Sequence, residues 1–243
     1  MTDESLKEFY SKDIYREFHI NLINQEKIFK EGRQSKVIYN FTKDVIDYKQ
    51  SDKVLEIGSH AGYNLIEFKK QKLDILGIDL SLDSRKIAKK YNINVENKKL
   101  SDLNEQFKLI LLINVLEHFN DPRSELLQIK NNMNDESYLF IALPQIKNFS
   151  SGMLQQAHCH YFKKIDFIYL LSSCGFKIIK FGTYSKDHMY GIFKIGNQED
   201  MKEDHPSVLE TRKILLLRYL KFFKLFSICI RWIIHKFFYK KNT

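Results

Sequence analysis

Two groups of residues in this chain have types and spacings that could do chemistry. The first begins in VLEIGSHAGYN (Val54 to Asn64), a short apolar strand that runs into a turn with glycines at 58 and 62 and then into a helix. Gly58 and Gly62 would let the backbone approach a ligand, and the helix start offers free N–H groups, unless both glycines serve the turn alone. Further on, GIDLS (Gly77 to Ser81) ends a second strand at Asp79, where a carboxylate can accept hydrogen bonds from both hydroxyls of a ribose. The combination points to a nucleoside ligand. The second group is QAHCHYF (Gln156 to Phe162), which places His158 and His160 after the stretch NFSSGM, whose serines and glycine suit a movable loop. An H-x-H pair has the form of a metal pair, but no third ligand stands near it in sequence, so no metal site is expected. Either imidazole could equally be a loop residue bonded to backbone.

These residues need elements to position them. Residues 5 to 49 read as helical, with polar punctuation around Lys30 to Gln34. Strands are predicted at Lys53 to Ile57, at Leu73 to Asp79 and weakly near Ile93 to Val95, with helices over Tyr63 to Lys70 and Leu82 to Tyr91 between them. FKLILLIN (Phe107 to Asn114) and SYLFIAL (Ser137 to Leu143) are continuous apolar runs, as expected for strands buried on both faces. A helix follows Pro122, and another runs from Lys163 to Cys174, closed by Gly175. The last two strands, FKIIKFG and MYGIFKIG, are joined by a short polar loop and should form an antiparallel hairpin. The fold class is α/β, with a Rossmann-like, mainly parallel sheet and an antiparallel edge. Such a sheet binds ligands beyond the carboxyl ends of its strands, where the glycine turn sits.

In order and spacing, VLEIGSHAG, LGIDLS, FKLILLINVLEHFNDP, SYLFIALP and AHCHYFKKIDFIYLLSSCGF resemble the successive motifs of class I S-adenosylmethionine-dependent methyltransferases. The likeness covers roughly residues 35 to 196 and is greatest to the small-molecule branch acting on quinone precursors, sugars and surface-polysaccharide intermediates. A dinucleotide dehydrogenase would instead require G-x-G-x-x-G. The resemblance implies that S-adenosylmethionine is the cofactor. Glu56 and the Gly58 to Gly62 backbone would hold its methionine part, Asp79 its ribose and Asp102 its adenine amino group. Asn114 would face the sulfonium. Glu117 and His118 would either contact the ligand or form a polar first helical turn. The loop with His158 and His160 would lie over the acceptor, His158 first and His160 second as base or acceptor ligand. The chain departs from the family at His60, where glycine is usual, and at Lys108, where aspartate is usual; the His60 ring is expected to point to solvent. Base-methylating relatives end strand four with Asn-Pro-Pro-aromatic, whereas this chain has Asn114-Val-Leu-Glu, so a nucleic-acid partner is not expected.

Composition and charge bound the rest. The chain has 243 residues, 44% hydrophobic and 28% charged, enough for one large core with appendages. Its three cysteines are far apart, which fits a reducing cytoplasm, and the polar N-terminus lacks the apolar run of a secretory signal. The net charge of +9 is concentrated beyond Pro206, where nine Lys/Arg face Glu210 alone. That segment has no uninterrupted apolar run of spanning length. On a helix, Arg218, Lys221, Lys224, Arg231 and His235 fall near one side and Leu216, Leu220, Phe223, Phe226, Ile230, Ile233 and Phe237 on the other. The pattern predicts a basic amphipathic helix lying on an anionic membrane surface, or else packing on protein. The expected organisation is an N-terminal helical segment (1–50), a methyltransferase domain (51–196) and a linker with the amphipathic helix (197–243). The expected activity is methyl transfer to a hydroxyl of a small or lipid-linked acceptor at the inner membrane surface. The alternative is a noncatalytic binding module on the same fold. Oligomeric state is open.

Overall fold

The computed structural model describes residues 32–146, 158–183 and 188–197. The predicted helix beyond Pro206, residues 5 to 31 of the predicted N-terminal helical segment and the NFSSGM stretch lie outside these. The chain parts into two compact units, Met1–Ile146 with Cys159–Asp200 and Lys147–His158 with Met201–Thr243. Every element described below belongs to the first. Of the second, His158 alone is among the described residues.

Helix α1 (Arg33–Lys43) precedes β1 (Lys53–Ile57). A 3-10 turn (Tyr63–Leu65) then leads into α2 (Ile66–Lys70), β2 (Asp74–Ile78), α3 (Leu82–Lys90) and β3 (Val95–Glu96). Next come β4 (Leu109–Ile113), α4 (Pro122–Ile129), β5 (Tyr138–Pro144), α5 (Lys164–Ser173), β6 (Phe176–Thr183) and β7 (His188–Ile195). Short 3-10 turns at Leu100–Asp102 and Leu116–His118 follow β3 and β4. The seven strands form one sheet in the order β3-β2-β1-β4-β5-β7-β6. Pairings from β3 to β5 are parallel, and β7 joins β5 and β6 antiparallel, as the hairpin expectation required.

The apolar runs account for the layers. In β4, Leu109, Leu111 and Ile113 enter the core on one face of the sheet, while Ile110 and Leu112 enter the core on the other. Alternation along a strand sends successive side chains to opposite faces, so a strand covered on both sides must be apolar throughout. On one face Leu126 and Ile129 of α4 and Phe167 and Leu171 of α5 complete the core. On the other it is completed by Ile38 of α1, Phe68 of α2 and Ala88 of α3. Local signals set the helix ends. Ser81 Oγ accepts the N–H of Ser84 at 3.3 Å to start α3, and Asp121 accepts that of Ser124 at 3.1 Å with Pro122 in the first turn of α4.

Candidate active site

Chain direction makes the site. From β1 the chain proceeds outward to β2 and β3, and from β4 it proceeds the other way to β5, so strand order reverses between the neighbours β1 and β4. In open α/β sheets the crevice outside the carboxyl ends of such a pair receives the ligand. The two turns that line it here are Gly58 to Gly62 after β1 and Asn114 to His118 after β4. A cavity among Ser51, Lys53, Lys108 and Glu136 lies at the opposite, amino ends of the same strands and takes no part.

The glycine turn is shaped by the protein's own packing. Gly58 and Gly62 have φ of +66° and +74°, in the left-handed region that a side chain strains. A Cβ on Gly58 would stand 2.6 Å from Val115 Cγ2, and one on Gly62 would stand 2.4 Å from Ile93 Cγ2. Both glycines are therefore demanded from within the fold, the first because the two crevice turns touch there. His60 also has positive φ, 51°, which explains why glycine would be at home at this position. Its half-buried ring does not simply point to solvent but stacks on Tyr63, centroids 5.3 Å apart and planes 22° apart.

The turn is laced to the end of β2. Gly58 and Ser59 donate their N–H groups to the carbonyl of Ile78 at 2.9 and 3.1 Å. Asp79 uses both carboxylate oxygens, Oδ2 accepting the N–H of His60 and Oδ1 that of Ser81, each at 2.8 Å. Behind the turn, Glu56 is 1% exposed. Its Oε1 accepts from Asn64 Nδ2 at 2.6 Å, while Oε2 has no hydrogen-bond partner among the described residues. Burial pushes the Glu56 carboxyl up to about 8, against the Asn64 bond that lowers it and with a further rise from the nearby Asp79 charge.

Across the crevice, Asn114 adopts φ 54° directly after β4, its N–H bonded to the carbonyl of Ala142 at 2.8 Å and its side chain exposed. Glu117, three residues on, is 2% exposed, and neither carboxylate oxygen has a hydrogen-bond partner among the described residues. Burial raises its carboxyl to about 7. Glu117 and His118 do stand in a helical turn, the 3-10 turn Leu116–His118, and the Glu117 carboxylate is buried within it. The Glu117 carbonyl accepts the N–H groups of Cys159 and His160 at 2.9 and 3.0 Å, which ties the start of the HYF segment to the turn after β4. The imidazole of His160 contacts the Asn120 carbonyl, Nε2 to O 3.1 Å. His158, the residue before Cys159, is buried. Asp102 is exposed, and its carboxylate accepts the N–H of Lys99 at 3.0 Å in its own 3-10 turn.

The fold thus brings Glu56, Gly58, Gly62, Asp79 and Asn114 to the carboxyl edge of the sheet, with His160 bonded beside the same edge. Asn64 was missed by the sequence reading, although it sits in the same GYN run. A polar residue at the start of the helix that packs behind a buried glutamate was the available signal.

Comparison with known proteins places this geometry. The sequence profile of a methyltransferase domain family matches residues 27–180. No curated protein matches the chain. Among solved structures, the magnesium protoporphyrin IX methyltransferase of Synechocystis PCC 6803, with bound SAH, is 14% identical with a TM-score of 0.59, over 79% of this chain and 99% of that one. A SAM-dependent methyltransferase of Aquifex aeolicus is 18% identical with a TM-score of 0.53, over 70% and 97%. A glycopeptide N-methyltransferase complexed with SAM is 10% identical with a TM-score of 0.53, over 67% and 94%. At these identities the structures establish the common fold.

Proposed function

The chain belongs to the methyltransferase domain family and is an S-adenosylmethionine-dependent methyltransferase, and from that premise we propose that its acceptor is a hydroxyl of a small or lipid-linked molecule, a sugar or surface-polysaccharide intermediate. The observation that carries the cofactor side is the pair of acids at the carboxyl ends of β1 and β2. Glu56 has a buried oxygen in need of a donor, and the Asp79 charge stands close enough to raise its carboxyl. A ligand that carries an ammonium and a sulfonium suits this pair, because its positive charge favours the ionised form of Glu56, which burial alone keeps protonated, beside Asp79. Glu56 and Asp79 therefore fit the cofactor, and in this reading Glu56 and the Gly58 to Gly62 backbone would lie toward the methionine part, Asp79 toward the ribose, Asp102 toward the adenine and Asn114 toward the sulfonium.

When bound, S-adenosylmethionine would supply a methyl group for in-line attack by an acceptor oxygen, the C–S bond breaking and the neutral thioether leaving as the C–O bond forms. What the chain must add is alignment, which can contribute about 7 to 11 kcal/mol, and removal of the hydroxyl proton, a positioned base adding about 10² to 10⁴ in rate. His158 is the base in this reading and His160 the second acceptor contact. The N–H bonds of Cys159 and His160 to the Glu117 carbonyl support the second contact, because they hold the His160 backbone at the turn that follows β4. The basic segment beyond Pro206 would keep the enzyme at the inner, cytoplasmic membrane surface, near lipid-linked acceptors.

Incubation of the full chain with methyl-labelled S-adenosylmethionine and fractionated lipid-linked saccharides tests the reading. Label recovered as a base-stable methyl ether is expected. Label on nitrogen or carbon overturns the hydroxyl acceptor, and absence of calorimetric binding to both the cofactor and its demethylated product favours the noncatalytic module.

A further inference from the structure

The turn after β4 holds a pair of side chains that methyl transfer to a hydroxyl does not by itself require. Glu117 is buried, and both of its carboxylate oxygens lack a hydrogen-bond partner among the described residues. A carboxylate removed from water without partners is costly, so such a group holds either a proton or a cation. The adjacent His118 has its side chain 11% exposed, and its Nε2 stands 3.9 Å from Glu117 Oε1. That gap is too long for a hydrogen bond. Two ligand atoms each about 2.1 Å from one ion lie roughly 3.0 to 3.4 Å apart in octahedral or tetrahedral geometry, so a small side-chain adjustment brings both onto a single cation.

We propose that Glu117 and His118 bind a divalent transition-metal cation at the carboxyl end of β4, with its remaining coordination positions open to water and to acceptor oxygens. One carboxylate and one imidazole form a donor set suited to zinc, manganese, iron or cobalt in the divalent state. The backbone is already fixed for the purpose, since the carbonyl of Glu117 takes N–H groups from Cys159 and His160 and the N–H of His118 donates to the Val115 carbonyl at 2.9 Å. Sites with few protein ligands keep positions for substrate, and an ion there lowers the pKa of a coordinated hydroxyl. That use of the ion rests on the hydroxyl-acceptor reading, whereas cation binding itself does not.

The test is a cobalt(II) titration of the chelator-stripped full chain, followed by its visible absorption, with a parallel calorimetric titration of the demethylated cofactor product. The chain is expected to take up one cobalt ion with nitrogen and oxygen ligation. Glu117→Gln, close to isosteric, and His118→Ala should each weaken that uptake about tenfold or more. If the stripped native chain binds cobalt no better than the doubly substituted chain, Glu117 holds a proton alone and the site is overturned. The methyltransferase reading would survive that result, because the product titration reports on it separately.

Discussion

The carboxylate of Asp79 accepts the backbone N–H of His60 at 2.8 Å, so the acid proposed to meet a ribose also holds the glycine turn against the end of β2. Its removal therefore acts twice. Asp79→Ala should lose at least tenfold in affinity for the demethylated cofactor product, since hydrogen bonds to a charged group contribute about 1.5 to 3 kcal/mol each. It should also lower the melting temperature of the ligand-free protein. Unchanged affinity in calorimetry would remove Asp79 from the ribose site.

Gly62 faces Ile93 at a distance no side chain tolerates. Gly62→Ala combines a left-handed φ with overpacking and should destabilise by about 1 to 3 kcal/mol. Ile93→Ala opens the space but leaves the backbone angle, so the double variant should be more stable than the sum of the single losses predicts, by about 0.5 kcal/mol or more in urea unfolding. Strict additivity would mean that the contact with Ile93 does not set the choice of glycine.

Burial gives Glu56 a pH signature. With its folded carboxyl at about 8 and a reference value of 4.5, the folded state keeps a proton that the unfolded state has lost anywhere between these values. Folding then takes up a proton, and stability falls as pH rises from 4.5 toward 8, by up to about 1.4 kcal/mol per pH unit, and levels off outside that window. Glu56→Gln should flatten this part of the profile. Parallel urea-midpoint curves for the two proteins between pH 5 and pH 8 (roughly the window set by linkage) would count against the shift.

His158 is expected to serve the acceptor and not the cofactor. His158→Ala should keep affinity for the cofactor product while turnover falls by about 10² or more, as for the loss of a general base. Normal turnover would return His158 to a structural role in its loop.

The segment beyond Pro206 combines nine basic residues with apolar residues at helical spacing. Each Lys or Arg near an anionic surface contributes about 1 kcal/mol, so the full chain should bind anionic vesicles strongly at low salt, less at high salt, and neutral vesicles much less. Removal of residues 207–243 should abolish vesicle binding and leave cofactor binding intact. An intact chain that ignores anionic vesicles, or a truncated one that unfolds, would assign the segment to packing on protein.

Much of this architecture was legible in the sequence because it is local. Continuous apolar runs such as Leu109 to Ile113 mark strands covered on both faces, Asp121-Pro122 and Gly175 punctuate helices, and the spacing from the glycine turn to Asp79 follows from one strand-helix-strand unit. Strand order had to come from the tertiary structure, and with it the reasons for particular residues. Val115 and Ile93 demand the glycines, Asn64 reaches back to Glu56, His60 lies on Tyr63, and Glu117 is buried although it is a charged residue in a turn after a strand. Periodicity reports which way a side chain faces along its own element. It carries no record of which distant residue will face it, and burial and partners, which set the protonation of Glu56 and Glu117, arise only when elements far apart in the chain pack together.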